Sequence, residues 1–436
     1  MARRRKLPGE LRNLNGAENR FWRTRHQQVS VQSTVDFPIV INPRKGERAT
    51  LYDADGNAYI DFGFVGTDNF GFGSTLLRIR RAVDRIDGVL FLPEHDIANI
   101  LGVSLKSELL SRTPVRGQGA VFFARSGADA NEVALDAMIK ARPERRTFGC
   151  FWGAFHGRNT GIRSLMDPRK PQRVADYPKP YDVIRLPFPA ATIPGVVKAL
   201  KAQLAEISET TWSQMNGFFI EIVQGEGGMQ VIDTRALRVL VEELRRHDVA
   251  IVVDEVQTGM GRTGTLWAYG RARVTPDIVT IGKSLGGGVQ DVNAVVMSRR
   301  FSFREAGARS STFGAEPAKA AAALAALAEI DRRNLCARAE KLGLVISREL
   351  RALRETFPSI QQVQGIGAMW GIEFRDTATR DAVRHYALTR GLILLPCGIP
   401  NVNPSIRIMP PLVISRSELH LGLRILKDAI AATETQ

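Results

Sequence analysis

Cysteine is scarce: three occur in 436 residues, Cys150, Cys336 and Cys397. They lie far apart and make no CxxC pair, which argues against a disulfide framework or a zinc site and fits a reducing compartment. Long apolar runs are missing too. The blandest stretch, "AAAALAALAEI" at 320–330, is too short and too rich in alanine to span a bilayer. The N-terminus has no apolar leader core, and Glu10 and Glu18 sit poorly with an organelle-targeting peptide. No internal repeat and no low-complexity linker is found. These absences predict a soluble cytoplasmic protein with no membrane partner.

Charge is plentiful, with 60 Lys and Arg against 45 Asp and Glu, a formal balance of +15. The basic residues are scattered among acids except in "MARRRK", where Arg3, Arg4, Arg5 and Lys6 read as a frayed tail. That pattern fits a solvated basic surface and no nucleic-acid partner.

"ATLYDADGNAYIDF" at 49–62 reads as a hairpin with "DADGN" in the turn. Between about 120 and 300, short apolar runs alternate with amphipathic segments. The runs are "GAVFFA" (119–124), "TFGCFW" (147–152), "GFFIEIV" (217–223), "VAIVVDE" (249–255), "DIVTIG" (277–282) and "NAVVMS" (293–298). Strands alternating with helices predict an α/β fold whose mostly parallel sheet is covered on both faces. From about 330 the texture changes toward a smaller α+β unit. The expected division is an N-terminal segment at 1–70, a large domain at 71–325 and a small domain at 326–436.

In a parallel sheet, chemistry collects where strands end at their carboxyl edge. "RSGADAN" places Ser126, Gly127 and Ala128 at the start of a helix, where N–H groups can hold an anion. "GAFHGR" offers Phe155 as a stacking face, His156 as a polar contact and Arg158 as an anion clamp. Asp254 follows four apolar residues and needs a cationic or N–H partner in that setting. Lys283, in "IGKSLGGG", ends another strand, and the glycines after it let a neighbour approach. A phosphate site, an aromatic ring, a carboxylate and a desolvated amine are the parts that pyridoxal 5′-phosphate (PLP) requires. A Schiff-base lysine also explains a lysine in so apolar a place.

The ordered set "SGADANEVALDAMIKAR", "FWGAFHGR", "EIVQGEGG", "DEVQTGMGRTG", "GKSLGGG", "SSTFGAEP" and "IRIMPPL" resembles the class III PLP-dependent aminotransferases, the ornithine/4-aminobutyrate or omega type, over nearly the whole chain. The resemblance implies a type I fold, like that of aspartate aminotransferase, in a homodimer with sites at the subunit interface. It makes Lys283 the Schiff-base lysine and proton carrier. Asp254 pairs with the ring nitrogen, Gln257 with the ring hydroxyl, and Phe155 and Val256 pack the two ring faces. Ser126, Gly127 and Ala128 hold the phosphate, and Thr312 reaches the phosphate of the neighbouring subunit. Glu221 is a second acid near the cofactor. Arg407 takes a substrate carboxylate and otherwise pairs with Glu226, while Arg158 takes the distal carboxylate of 2-oxoglutarate.

The sequence departs from the family pattern at "GFGST" (71–75), at Ala315 and Glu316 in "TFGAEP", at Arg309, and at "VQDVNAVV" after the glycines. These put the amino donor, an amine or amino acid, in question and leave the cofactor standing. Phe64, Val65, Thr67 and Asn69 are candidate walls. The expected reaction passes an amino group to a keto acid, 2-oxoglutarate before pyruvate. A racemase, epimerase or aminomutase on the same scaffold is the alternative. A PLP-free phosphate- or nucleic-acid-binding protein is disfavoured, since Lys283 precedes its glycines, unlike a P-loop lysine.

Overall fold

The computed structural model describes residues 6–31, 37–64, 69–93, 96–170 and 175–434. Arg3, Arg4, Arg5, Val65 and Thr67 lie outside the described residues. In chain order the strands are β1 (Ile41–Glu47), β2 (Thr50–Asp53), β3 (Ala58–Asp61), β4 (Gly119–Ala124), β5 (Thr147–Phe151), β6 (Asp182–Leu186), β7 (Met215–Glu221), β8 (Val223–Gln224) and β9 (Gln230–Val231). They continue with β10 (Ala250–Asp254), β11 (Ile278–Ile281), β12 (Asn293–Ser298), β13 (Ile360–Ile366), β14 (Met369–Phe374), β15 (Leu392–Ile393), β16 (Leu395–Cys397) and β17 (Ser405–Ile408).

Seven of these form the central sheet in the order β4-β12-β11-β10-β7-β5-β6. All run one way except β12, which is antiparallel to both of its neighbours. The six apolar runs named above all become strands of this sheet, and β6, "DVIRL", joins them at one edge. Its Asp182 and Arg185 interrupt the apolar pattern, which hides the strand from periodicity.

Both faces are covered, and the strands show it. Phe218 and Ile220 of β7, with Ile251 and Val253 of β10, pack on one side among Leu237, Leu240, Val241 and Leu244. Those leucines and the valine come from the helix Thr234–Arg246, whose Asp233 cap accepts from two N–H groups of the first turn. Phe219, Ala250 and Val252 pack on the other side against Val133, Ala134, Ala137 and Met138 of the helix Gly127–Ala141. A strand buried on both faces has no polar alternation, so it appears in sequence as a plain apolar run. The alanine-rich segment at 320–330 lies within the helix Pro317–Arg332, mostly buried.

β2 and β3 form the anticipated hairpin, in a four-stranded sheet β1-β2-β3-β15. Its last member belongs to the C-terminal part of the chain and pairs in parallel with β3. The remaining four-stranded sheet, β13-β14-β17-β16, is antiparallel and carries Arg407. Among the described residues no helix is long and apolar enough to cross a membrane.

Candidate active site

At the carboxyl edge of the central sheet, β10 sits between β7 and β11, so that Asp254 lies beside Glu221 and beside Thr280. A cavity of about 700 Å³ opens over this edge. Its lining includes Ser126, Gly127, Ala128, Phe155, His156 and Arg158 from loops that follow β4 and β5. Glu221, Glu226, Asp254, Val256, Gln257, Lys283 and Arg407 complete the meeting of residues singled out from sequence. Thr312 is exposed and is not part of this lining.

Asp254 is buried and held from three directions. His156 Nδ1 lies 2.9 Å from Oδ2, Asn131 Nδ2 donates to Oδ2 at 2.8 Å, and the Val256 N–H donates to Oδ1 at 3.0 Å. Burial opposes charge on both Asp254 and His156, but their mutual bond wins: Asp254 titrates below its ordinary range and His156 above. His156 Nε2 is buried with no hydrogen-bond partner. Asn131 also donates to the His156 carbonyl and accepts from the Thr280 hydroxyl, so neighbouring strands share one polar network.

Glu221 has less support. Burial pushes its carboxyl up to about 7, with the Phe155 N–H at 3.0 Å and the nearby His156 only partly opposing that rise. Two acids at adjacent strand ends therefore differ in state near neutral pH, Asp254 ionised and Glu221 titrating.

Lys283 opens a single 3-10 turn, Lys283–Gly286, at a φ of 45°. A left-handed conformation is uncommon outside glycine and is found where function fixes the backbone. Burial lowers the lysine's pKa, with Arg407 adding to the effect and Asp254 the largest opposing charge. The glycines after it do not all serve the site. A Cβ at Gly287 would meet Ile79 Cδ1 at 2.6 Å and Ala326 Cβ at 3.1 Å, so that glycine admits helices rather than a ligand. Of the three, Gly288 lines the cavity.

Ser126 caps the helix Gly127–Ala141 by accepting from the Asp129 N–H. The first N–H groups of any helix lack intrahelical partners, and here they open on the cavity. A Cβ at Gly127 would lie 2.6 Å from Val256 Cγ1, so only glycine lets the helix start this close to Val256. Arg407, on β17, donates to Glu226 Oε1 at 2.5 Å and to the Pro396 carbonyl at 3.1 Å. Burial works most strongly against its charge, and Glu226, helped by Cys397 and Asp61, still leaves the pKa raised. Arg158 is exposed at the mouth, its guanidinium 5.8 Å from the centre of the Phe155 ring.

Two wall candidates are corrected. Phe64 and Asn69 are buried away from the cavity lining. Asn69 bonds the fully buried Arg262, whose guanidinium also lies over the Phe64 ring, so both belong to a structural clamp. The departures also separate. The 71–75 stretch leads into the 3-10 turn Gly73–Leu76 outside the lining, and Arg309 pairs with Asp129 and Asp136 of the Gly127–Ala141 helix. Val289, Gln290, Asp291 and Asn293 do line the cavity. Their position follows from β12 running backwards: Asn293, its first residue, lies beside Ala124, the last of β4. Reasoning from carboxyl ends alone misses it. Asn131 and Thr280 were missed too, although a polar residue inside an apolar helix face was a visible signal.

These parts fit PLP: a cradle that only glycine permits, a carboxylate kept ionised, an amine with a lowered pKa, and an orphan imidazole nitrogen. A doubly wound sheet with this edge is a type I PLP fold. The family described as "Aminotransferase class-III" matches residues 31–430. A probable 4-aminobutyrate aminotransferase of Bacillus subtilis is 32% identical over 89% of this chain and 92% of its own length. A 2-aminoadipate transaminase of Pseudomonas putida is 31% identical over 93% and 99%. The solved ornithine aminotransferase of Toxoplasma gondii superposes with a TM-score of 0.82 at 26% identity, covering 96% of this chain and 95% of that one. The lysine aminotransferase of M. tuberculosis gives 0.82 at 26%, covering 96% and 100%. The chain belongs to the class III aminotransferases. It is a PLP-dependent enzyme, and transamination is its chemistry.

Proposed function

We propose that the enzyme moves an amino group from an amine or amino acid to 2-oxoglutarate, with Lys283 as the Schiff-base lysine and proton carrier. The observation that carries this reading is the pairing, in one cavity, of an ionised Asp254 with a lysine whose pKa burial has lowered. Bound PLP supplies an electron sink for the charge left when a substrate carbon loses its proton. Asp254 keeps a proton on the ring nitrogen, and the His156–Asn131 bonds hold that carboxylate in place. A lowered pKa gives Lys283 a larger neutral fraction, the form that attacks a carbonyl and takes up a proton. Ser126 and the N–H groups of Gly127 and Ala128 bind the phosphate. Phe155 and Val256 would cover the two faces of the ring and exclude water, and Gln257 would bond its hydroxyl.

Arg407 binds the carboxylate next to the reacting carbon, and Arg158 the distal one. Glu226 neutralises Arg407 when the donor brings no carboxylate there. A second copy of the chain covers the exposed Phe91, Ile97, Ile100 and Phe313, and brings Thr312 to the phosphate of its partner. Half-reactions with single amines test the reading. Donors should bleach the cofactor's visible band, and 2-oxoglutarate should restore it. Turnover of a single amino acid with no keto acid present would point instead to racemisation or an aminomutase.

A further inference from the structure

Glu226 is held by two cations rather than one. While Oε1 meets Arg407, Oε2 lies 3.5 Å from Lys170 Nζ. The same ammonium donates to the Glu226 carbonyl at 3.0 Å, and the Gly398 N–H donates to that carbonyl at 3.1 Å. The backbone of Glu226 is thus pinned, and its carboxylate can move only by turning about its side-chain bonds. Lys170 is 6% exposed and stands outside the cavity lining. A lysine so buried is rare without a partner of opposite charge. It is also firmly placed: its N–H bonds the Asp167 carbonyl, and the Asp167 carboxylate accepts from the Gly153 N–H at 2.6 Å, just past β5.

A substrate carboxylate that takes Arg407 must displace Glu226, and a displaced carboxylate in a desolvated site needs another cation. We propose that Lys170 is that cation, a positioning residue that receives Glu226 while substrate occupies Arg407. The inference rests on the Glu226–Arg407 exchange proposed above and adds the destination of the displaced group. Two cations then serve two carboxylates in the substrate-bound state, and one shared carboxylate in its absence. Without Lys170, Glu226 loses one of the two cations that hold it and competes harder with the substrate at Arg407.

The test measures the two half-reactions of the PLP-loaded enzyme separately. Lys170→Met should raise the 2-oxoglutarate concentration needed for half-maximal rate roughly tenfold, the scale of one charge-assisted contact, with the maximal rate little changed. The half-reaction of 4-aminobutyrate, whose amine-bearing carbon has no carboxylate, should be unaffected. Lys170→Arg should restore 2-oxoglutarate binding, and Lys170→Gln, which can keep the carbonyl bond, should behave like Lys170→Met. Adding Lys170→Met to Glu226→Gln should change nothing further. Equal losses in both half-reactions, or no loss in either, overturn the role of Lys170. If Glu226→Gln by itself fails to separate the two substrates, it is the exchange at Arg407 that falls.

Discussion

Asp254 and Glu226 are carboxylates of one cavity, and they are held in opposite ways. Asp254 takes an imidazole, an amide and a backbone N–H, all from the central sheet, its loops and the Gly127–Ala141 helix. Directional bonds from short, packed groups leave that carboxylate one position. Glu226 is shared by the ends of two long side chains, one from the antiparallel sheet at β17 and one from the loop after β5. On the exchange proposed above, either cation can hold that carboxylate alone. The same chemical group is a fixed electrostatic post in one setting and an exchangeable counter-ion in the other.

Substitutions can break or sharpen that contrast. The largest effect belongs to Lys283, on which both carboxylates act. Lys283→Ala should lower turnover by about 10⁴-fold, as for a lost general acid–base, and borohydride reduction of the unaltered enzyme followed by peptide mapping should place the pyridoxyl label on Lys283; a label on another lysine ends the assignment. Asp254→Asn should lower the rate of proton removal by roughly 10²- to 10³-fold for every donor alike. A fixed post has no substrate preference, so a donor-dependent loss would end its assignment. Arg158→Ala should be selective, weakening 2-oxoglutarate by about 2 kcal/mol relative to pyruvate in competition assays; an unchanged preference removes Arg158 from the site.

A smaller effect concerns pH. The Glu221 carboxyl is raised from 4.5 to about 7 in the fold. The folded state therefore holds its proton where the unfolded chain has lost it, and this group's contribution to stability falls as pH rises from about 4.5 to about 7. Glu221→Gln should flatten that part of the profile in cofactor-free protein, measured as Tm against pH. Glu255, raised to about 7 by burial as well, keeps a residual slope in the variant.

Much of this was legible because burial on both faces writes itself as apolar runs, and their polar ends stand out. Asp254 and Lys283 were visible for that reason, whereas Glu221, inside the run "GFFIEIV", came only from the family resemblance. Periodicity missed β6, whose Asp182 and Arg185 make it look like a loop. It also missed partners whose identity depends on distant contact. Nothing near Lys170 in sequence announces Glu226, 56 residues away. Phe64 and Asn69 are wall candidates in sequence, whereas in the fold Arg262, a fully buried arginine, draws both into its own network. A buried guanidinium recruits whatever acceptors surround it, and sequence distance carries no record of that.

The reversed direction of β12 also shapes the wall of the cavity. Since the strand enters the sheet from the cavity side, residues 288–291 cross the site before any of its ladder bonds begin. Gln290 takes no part in the pairing of Ala294 with Ile281 or of Asn293 with Ala124, whereas Asp291 accepts from the Asn293 side chain at 2.8 Å and ties the crossing to the strand. This short crossing lends the cavity side chains from a segment that carries none of the sheet's ladder bonds.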